Sequence, residues 1–580
     1  LVFDANKPIM QRMKEEGKLF RHDTYDHNYP HCWRTDEPLI YKAVESWYVR
    51  VSDFRERMVE LNEQINWEPS HVKHGIFGNW LAGAQDWNIS RSRFWGTPIP
   101  VWVSDDPDYP RVDVYGSIEE LEAEFGVEIT DLHRPYIDEL TRPNPDDPTG
   151  KSTMRRVPEV FDVWFDSGSM PFAQVHYPFE NKDWFETNFP ADFIVEYVAQ
   201  TRGWFYTLMV LSTMLFDSPP FKNAICHGVV LDENKQKLSK RLRNYPDPLE
   251  FFDSYGSDIM RWFLCSSPVL QGGNLLVPKE SREIAAVGRE AIQPFLNAYS
   301  FFSLYANLEE RRPRLIENAE EALDRYILTK AGELAQSVSG ALDAFDIPRA
   351  HAEASSFFDA LTNWYIRRSR ARFWGTTEQA SRDGAFDTLY TVLVQTAKVM
   401  APLMPIVAEK IYKNLTGERS VHLALWPTAD AFAQDHALSR SMDLVRSACS
   451  AALAVRERFR LRVRLPLKSL TLVHADAENM APFTDLIAEE LNVRDVRLST
   501  DLGAHGSLEL KVDPRIGKRL GPAMKTVMTA SRQGDFTLND DGTASVAGET
   551  LSADEFEMRV VTPDGSAAEP FAGTGAIVLD

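Results

Sequence analysis

Three consecutive segments, DFIVEYV (192–198), GWFYTLMVLSTMLF (203–216) and NAICHGVVL (223–231), limit most tightly what this chain can become. The first and third are short, apolar and rich in β-branched residues. The middle one is long enough for three helical turns. Such a strand–helix–strand order predicts a crossover unit in an α/β protein with a parallel sheet, because parallel neighbours need a long connection. In open parallel sheets ligands gather beyond the carboxyl ends of the strands. That rule places His227, Gly228 and the segment after them at a site.

That segment is KQKLSKRLRNYPDP (235–248), with five cationic side chains in its first nine positions and no acid among them. The formal net charge of the chain is −22, so any contact to a polyanion has to come from local basic patches of this kind. Lys237 and Lys240 flank Ser239, a small residue that lets backbone come close, and ammonium groups so placed suit phosphate oxygens. A solvated basic loop would have the same composition. Neither GxxxxGK[ST] nor GxGxxG lies beside it, so the common phosphate cradles are absent.

The 580 residues predict three to five domains. The most apolar run, LMVLSTML from Leu208 to Leu215, is far shorter than the roughly 20 residues of a membrane span, so a soluble protein without a membrane partner is expected. Four scattered cysteines without a CxxC pair suit a reducing compartment, and the cytoplasm is the default. The chain begins at Leu1, and no signal peptide can be claimed.

Residues 104–156, with RPNPDDPTGK, read as a polar surface insertion. From 281 to about 430 the pattern is helical, clearest where Phe357, Leu361 and Trp364 recur at spacings of four and three. Arg367 and Arg370 then fall on the far side of that helix, while Arg368 sits beside the stripe and packs through its stem. After about 440, strand-like KSLTLVHA and SLELKV alternate with helical stretches, predicting a smaller α/β unit. Its last 46 residues hold ten acids against one base, a poor surface for phosphates.

Six strings, taken in order, carry a resemblance: YPHCWRTDEPLIY, DWNISRSRFWGTPIP, DVWFDSGSMPF, QTRGWFY, KLSKR with YGSDIMRWFLCSSP after it, and NWYIRRSRARFW. KLSKR resembles the KMSKS signature of class I aminoacyl-tRNA synthetases, with Leu238 for Met and Arg241 for Ser, and the surroundings are similar to the isoleucyl-tRNA synthetases. The resemblance implies the second half of a Rossmann-type catalytic domain, a helical anticodon-binding bundle and a small C-terminal α/β domain. It implies the end of an inserted editing-side region over 1–75, catalytic domain over 76–250, a stem-contact connector over 251–290, the bundle over 291–432 and the last domain over 433–580.

It further implies ATP-dependent ligation of isoleucine to tRNA through an aminoacyl-adenylate by a monomer. Lys240 would stabilise charge developing on the phosphates and Lys237 would assist, sharing the task with Mg²⁺, for which no ligand is named. Ser239, His227 and Gly228 correspond to nucleotide contacts, and Glu196 and Gln200 to adenylate contacts. Trp164 and Trp204 correspond to walls of the isoleucine pocket, and Arg367 and Arg370 to tRNA contacts. By spacing alone, Glu196 and Gln200 could equally be helix caps, the tryptophans plain core and His227 a satisfied core residue.

Two departures stand out. A HIGH-type motif is nowhere in the sequence, so the chain reads as a fragment that alone should not complete adenylation. Some family members hold zinc by paired cysteines in the insertion; residues 104–156 contain none, so no Cys-type zinc site is predicted there. The rival readings are a valine-type ligase and a tRNA-binding protein without catalysis. Valine differs by one methylene, worth about 1 to 3 kcal/mol in a pocket, a range for which the isoleucyl enzymes are themselves the known example and which is not obtained from this chain.

Overall fold

A computed structural model describes residues 2–32, 35–40, 42–239, 243–278, 282–501, 507–539, 543–561, 567–572 and 575–579. The chain forms two compact units, Leu1–Cys226 and His227–Asp580. Among the described residues, no helix is long and apolar enough to cross a membrane.

In the first unit, α1 (Arg55–Asn62) leads into β1 (Asn66–Glu68). The insertion follows: β2 (Val101–Ser104), β3 (Val112–Val114), α2 (Ile118–Phe125), β4 (Arg142–Pro143) and β5 (Thr153–Arg156). Then come α3 (Val163–Ala173), β6 (Ile194–Tyr197), α4 (Trp204–Phe216) and β7 (Asn223–His227). The strands β6, β7 and β1 lie in that order in one sheet. β7 runs parallel to β1, with Ala224 opposite Trp67, and a parallel bridge joins Ala191 to Phe221 just before β6 and β7.

The crossover helix α4 is apolar nearly all round because both its faces are covered. Phe205, Leu208, Met209 and Val210 bury against Trp67, Phe77, Phe221 and Cys226. Trp67 places its ring edge-on to Phe205 and Phe221, and donates its indole N–H to Asn62 Oδ1 at 2.9 Å. Burying that polar tip without a partner would oppose the large apolar gain of the ring.

The insertion read at 104–156 carries a sheet and a core of its own. β3, β2, β5 and β4 make a four-stranded antiparallel sheet with α2, around a core of Trp102, Leu121, Ile137 and Met154. Its strands are two to four residues long, too short for an alternation to show in the sequence. The Asp- and Pro-rich turn is organised by Asp147, whose carboxylate accepts the N–H and hydroxyl of Thr149, the N–H of Lys151, and the N–H and hydroxyl of Ser152, all within 3.0 Å.

In the second unit, β8 (Val230–Asp232) pairs in parallel with β9 (Leu275–Val277), bracketing α5 (Pro248–Tyr255) and α6 (Ser257–Cys265). The segment 223–231, expected as one strand, is therefore two, belonging to different sheets. The break is at Gly228: its N–H donates to Val269 O at 2.7 Å, and its Cα lies against the Gly273 carbonyl.

A helical bundle follows: α7 (Arg282–Leu308), α8 (Ala322–Asp343), α9 (Ile347–Asp359), a π-helical stretch (Ala360–Ile366), α10 (Arg367–Phe373), α11 (Gln379–Met400) and α12 (Pro405–Thr416). Phe357, Leu361 and Trp364 all face its core, as their spacing predicts. Buried within it, Asp324 accepts Tyr365 OH at 2.8 Å and both terminal nitrogens of Arg372 at 2.8 and 2.6 Å.

The chain ends in α/β structure. Helix α13 (His436–Arg458) precedes β10 (Leu467–Val473), α14 (Thr484–Leu491) and β11 (Val493–Ser499). Later come β12 (Ala568–Phe571) and β13 (Gly575–Leu579), and the sheet order is β11, β10, β13, β12, with β10 and β11 parallel.

Candidate active site

The first unit builds an aromatic wall at the carboxyl end of β6. Glu196, the penultimate residue of β6, is half-buried, and its Oε2 accepts the Tyr197 N–H at 3.2 Å. Gln200 lies in the turn that follows. Its Oε1 accepts the N–H of Trp204 at 2.8 Å, so it caps α4, one of the two roles its spacing allowed. Trp204 in turn donates its indole N–H to Ser167 O, at 2.9 Å, which ties the start of α4 to α3.

Trp164 reaches the same place from α3. Asp162 fixes the entry to that helix: it accepts the Trp164 N–H at 3.3 Å, the Trp87 indole at 3.2 Å and the Arg91 guanidinium at 2.5 Å. Gly203 closes the arrangement. A Cβ on it would lie 2.6 Å from Gln200 Oε1 and 3.3 Å from the Trp164 ring, so the amide and the indole pack directly over a bare backbone. Trp164 thus joins Gln200, Gly203 and Trp204, which lie together much later in the chain, in one cluster. Trp164 stays 40% exposed, an indole face available to an apolar ligand.

The second unit begins with His227, whose Nδ1 lies 2.7 Å from Gly228 O, and continues into the cationic hairpin. Here the organiser is a residue the sequence reading passed over. Asp232 is buried, and its Oδ1 accepts the N–H groups of Asn234 and Gln236 at 2.9 and 2.8 Å. Its Oδ2 accepts Asn244 Nδ2 at 2.7 Å. Asn244 spans the loop, accepting the Ser239 N–H at 3.0 Å and donating to Lys237 O at 3.3 Å. Lys237 is exposed and Ser239 half-buried. Lys240 lies outside the described residues. The turn sequence DENKQ carried the signal for Asp232, since an aspartate at the first position of a turn commonly binds the backbone two residues on.

The hydrogen bond from Asn244, followed by those from the Gln236 and Asn234 backbone, holds the Asp232 carboxyl below the usual carboxylate range. A depressed carboxylate contributes stability that is present above its unfolded pKa of about 3.9 and is lost as pH falls through the folded value. Asp232→Asn is expected to speed amide exchange of Asn234 and Gln236 at neutral pH, and wild type is expected to lose protection at these amides on acidification below about pH 4. Hydrogen-exchange mass spectrometry reads both; unchanged exchange in the variant would mean that Asp232 does not organise the loop.

In the bundle, Arg367 and Arg370 have different fates. Arg367 donates Nε to Asn363 O at 2.8 Å and pairs through its terminal nitrogen with Glu490 at the end of α14. Arg368, expected to pack through its stem, pairs with Glu489 and Glu490. Arg370 is exposed, and no ion pair joins it to another described residue.

Residues 5–275, which include every residue of the wall and the hairpin, match the model of the class I tRNA synthetases (I, L, M and V). Residues 324–471 match the anticodon-binding domain of tRNA ligases. The chain belongs to the class I tRNA synthetases. Among its curated synthetase relatives, the isoleucine–tRNA ligase of Nocardia farcinica is 55% identical over 583 residues, covering 100% of this chain and 55% of the relative. That of Mycobacterium bovis is 53% identical over 593 residues (100% and 56%), and that of Rickettsia conorii 51% over 602 (96% and 55%). The chain spans about half the length of these relatives. A methionyl-tRNA synthetase of Mycobacterium tuberculosis, solved with methionyl-adenylate, aligns at TM-score 0.47 and 18% identity over 70% of this chain and 72% of that one.

Proposed function

We propose that this synthetase chain serves the ATP-dependent ligation of isoleucine to its tRNA through an aminoacyl-adenylate. The observation that carries the reading is identity above 50% to isoleucine–tRNA ligases along the whole chain, the indole wall and the cationic hairpin included. Trp164 and Trp204 shape the slot for the isoleucine side chain, and Glu196 and Gln200 hold the adenylate. Because Gln200 already caps α4, one of its polar groups is pre-oriented before the ligand arrives. His227, Gly228 and Ser239 contact the nucleotide.

The isoleucine carboxylate attacks the α-phosphate of ATP and pyrophosphate leaves; a hydroxyl of the terminal ribose of the tRNA then attacks the carbonyl carbon of the adenylate, the acyl–phosphate bond breaks and AMP leaves. Positioning and neutralisation of charge dominate such chemistry. Lys240 stabilises the phosphate charge and Lys237 assists, with Mg²⁺ arriving as part of the nucleotide substrate. The assigned organisation is catalytic domain over 76–250, connector over 251–290, anticodon-binding bundle over 291–432 and C-terminal domain over 433–580, acting as a cytoplasmic monomer, with Arg370 and Arg367 on the tRNA side.

The test is ATP–pyrophosphate exchange and tRNA charging by the full-length protein with isoleucine, and in parallel with valine. Isoleucine-dependent exchange well above that with valine is expected. Exchange driven equally by valine would replace the substrate, and tRNA binding without any exchange would favour a non-catalytic role.

A further inference from the structure

The sequence RERFRLRVRLPLK (456–468) holds six cations and one acid, in a chain whose net charge is −22. The structure divides these cations into two sets. Helix α13 ends at Arg458, and Arg460 takes a left-handed φ of 57°, which turns the chain out of the helix. Arg456 is 1% exposed, and its Nη2 donates to the carbonyls of Arg462, Val463 and Leu465 at 2.7, 3.1 and 2.5 Å. Asn492 Nδ2 adds a bond to Val463 O at 3.0 Å. A buried guanidinium therefore moulds the turn from inside. Arg458 is also spent on structure, through Glu569 Oε2 at 2.9 Å and Ala568 O at 2.6 Å.

The second set points outward. Arg460, Arg462, Arg464 and Lys468 are exposed, and so is Arg494. The parallel register sets Leu467 against Val493, which brings Lys468 and Arg494 side by side at the starts of β10 and β11. Among the described residues, no carboxylate pairs with any of these five, whereas Arg367 is held by Glu490. Five like charges that no described carboxylate pairs repel one another, and a polyanion relieves that repulsion. A turn pre-shaped by Arg456 loses little conformational freedom on binding.

We propose that this turn, with Lys468 and Arg494, is a docking surface for the backbone phosphates of tRNA. It rests on the reading that the substrate is a tRNA, and the turn lies inside the stretch matching the anticodon-binding domain. Phosphate contacts set register and affinity without reading bases. The surface therefore strengthens binding to tRNA of any sequence, while the amino-acid site is untouched.

The experiment compares binding of an isoleucine tRNA transcript across a salt series for the wild-type protein, R460Q/R462Q/R464Q and R460K/R462K/R464K. A third variant, K7Q/K14Q/K18Q, carries the same net charge as the first and removes cations that are also exposed. Each phosphate contact contributes about 0.7 to 0.9 to the slope of log K against log salt, so the first variant is expected to flatten it by about 2 to 3. The lysine variant and the charge control are expected to keep the wild-type slope, and all to keep isoleucine-dependent pyrophosphate exchange. If the triple variant does not fold, R462Q alone is expected to flatten the slope by about 0.7 to 0.9. An unchanged slope in the glutamine variants, or equal flattening in the charge control, overturns the docking surface and leaves the proposed activity standing. Failure of the wild-type protein to bind tRNA overturns both.

Discussion

Gly228→Ala is expected to cost the second unit at least the upper end of the about 1–3 kcal/mol typical of overpacking and, in the full-length protein, to reduce the proposed isoleucine-dependent adenylation by about 10²-fold. A Cβ at this position would sit 1.8 Å from the Gly273 carbonyl oxygen and 2.6 Å from its carbon. Both obstacles are backbone, so no side chain can rotate aside. The collision has to be relieved by moving 228–229 away from 272–273, which breaks the 2.7 Å bond from Gly228 N–H to Val269 O. His227 precedes the displaced residue and the strand leading to Lys237 follows it, so groups assigned to the nucleotide move together. The check is pyrophosphate exchange beside chemical denaturation of the same variant. Wild-type activity with a wild-type denaturation midpoint would show that the 228–273 approach is not a constraint.

Asp324→Ala is expected to destabilise the helical bundle by about 3–5 kcal/mol, the usual consequence of removing one partner of a buried ion pair. Asp324 is 1% exposed and receives both arms of the Arg372 fork and the Tyr365 hydroxyl. Burial pushes the Tyr365 hydroxyl well above its ordinary pKa, with the Asp324 charge adding to it, so the tyrosine stays a neutral donor. Without the carboxylate, Arg372 keeps Glu321 at 3.3 Å and the Ser381 carbonyl, too little for a charge so enclosed. Asp324→Leu with Arg372→Met is expected to recover most of the loss, since two apolar residues of similar volume leave no charge unpaired. Urea unfolding followed by tryptophan fluorescence measures both. A single variant within about 1 kcal/mol of wild type would show that water reaches the pair.

How much of this was legible before the structure depends on the range of the interactions involved. The helix at 204–216 and the strand at 194–197 were visible because their apolar patterns are local, and the stripe of Phe357, Leu361 and Trp364 was visible because spacings of four and three put it on one helical face, although Ala360–Ile366 is wound as a π-helix. The small sheet inside the insertion was not legible, because strands of two to four residues leave no period to read. The continuous strand expected over 223–231 failed for a different reason. Nothing in NAICHGVVL announces that residue 273 will press against residue 228, and β-branched residues on both sides of Gly228 favour extended backbone whichever sheet they join.

The arginines make the same point for the surface. Helical spacing correctly set Arg367 away from the apolar stripe, but spacing along one helix cannot show that Glu490, 123 residues later, takes up its guanidinium. Nor can it show that Arg456 turns inward while Arg460, Arg462 and Arg464 do not. The amino-acid order alone determined the family, the α/β and helical segments, and the residue types available to a phosphate and an apolar amino acid, because each of these is written in local pattern and short strings. Tertiary structure alone decided where a glycine is indispensable and which of many identical charges remain open to a partner. Those outcomes depend on approaches of a few ångströms between segments distant in the chain, which no local pattern encodes.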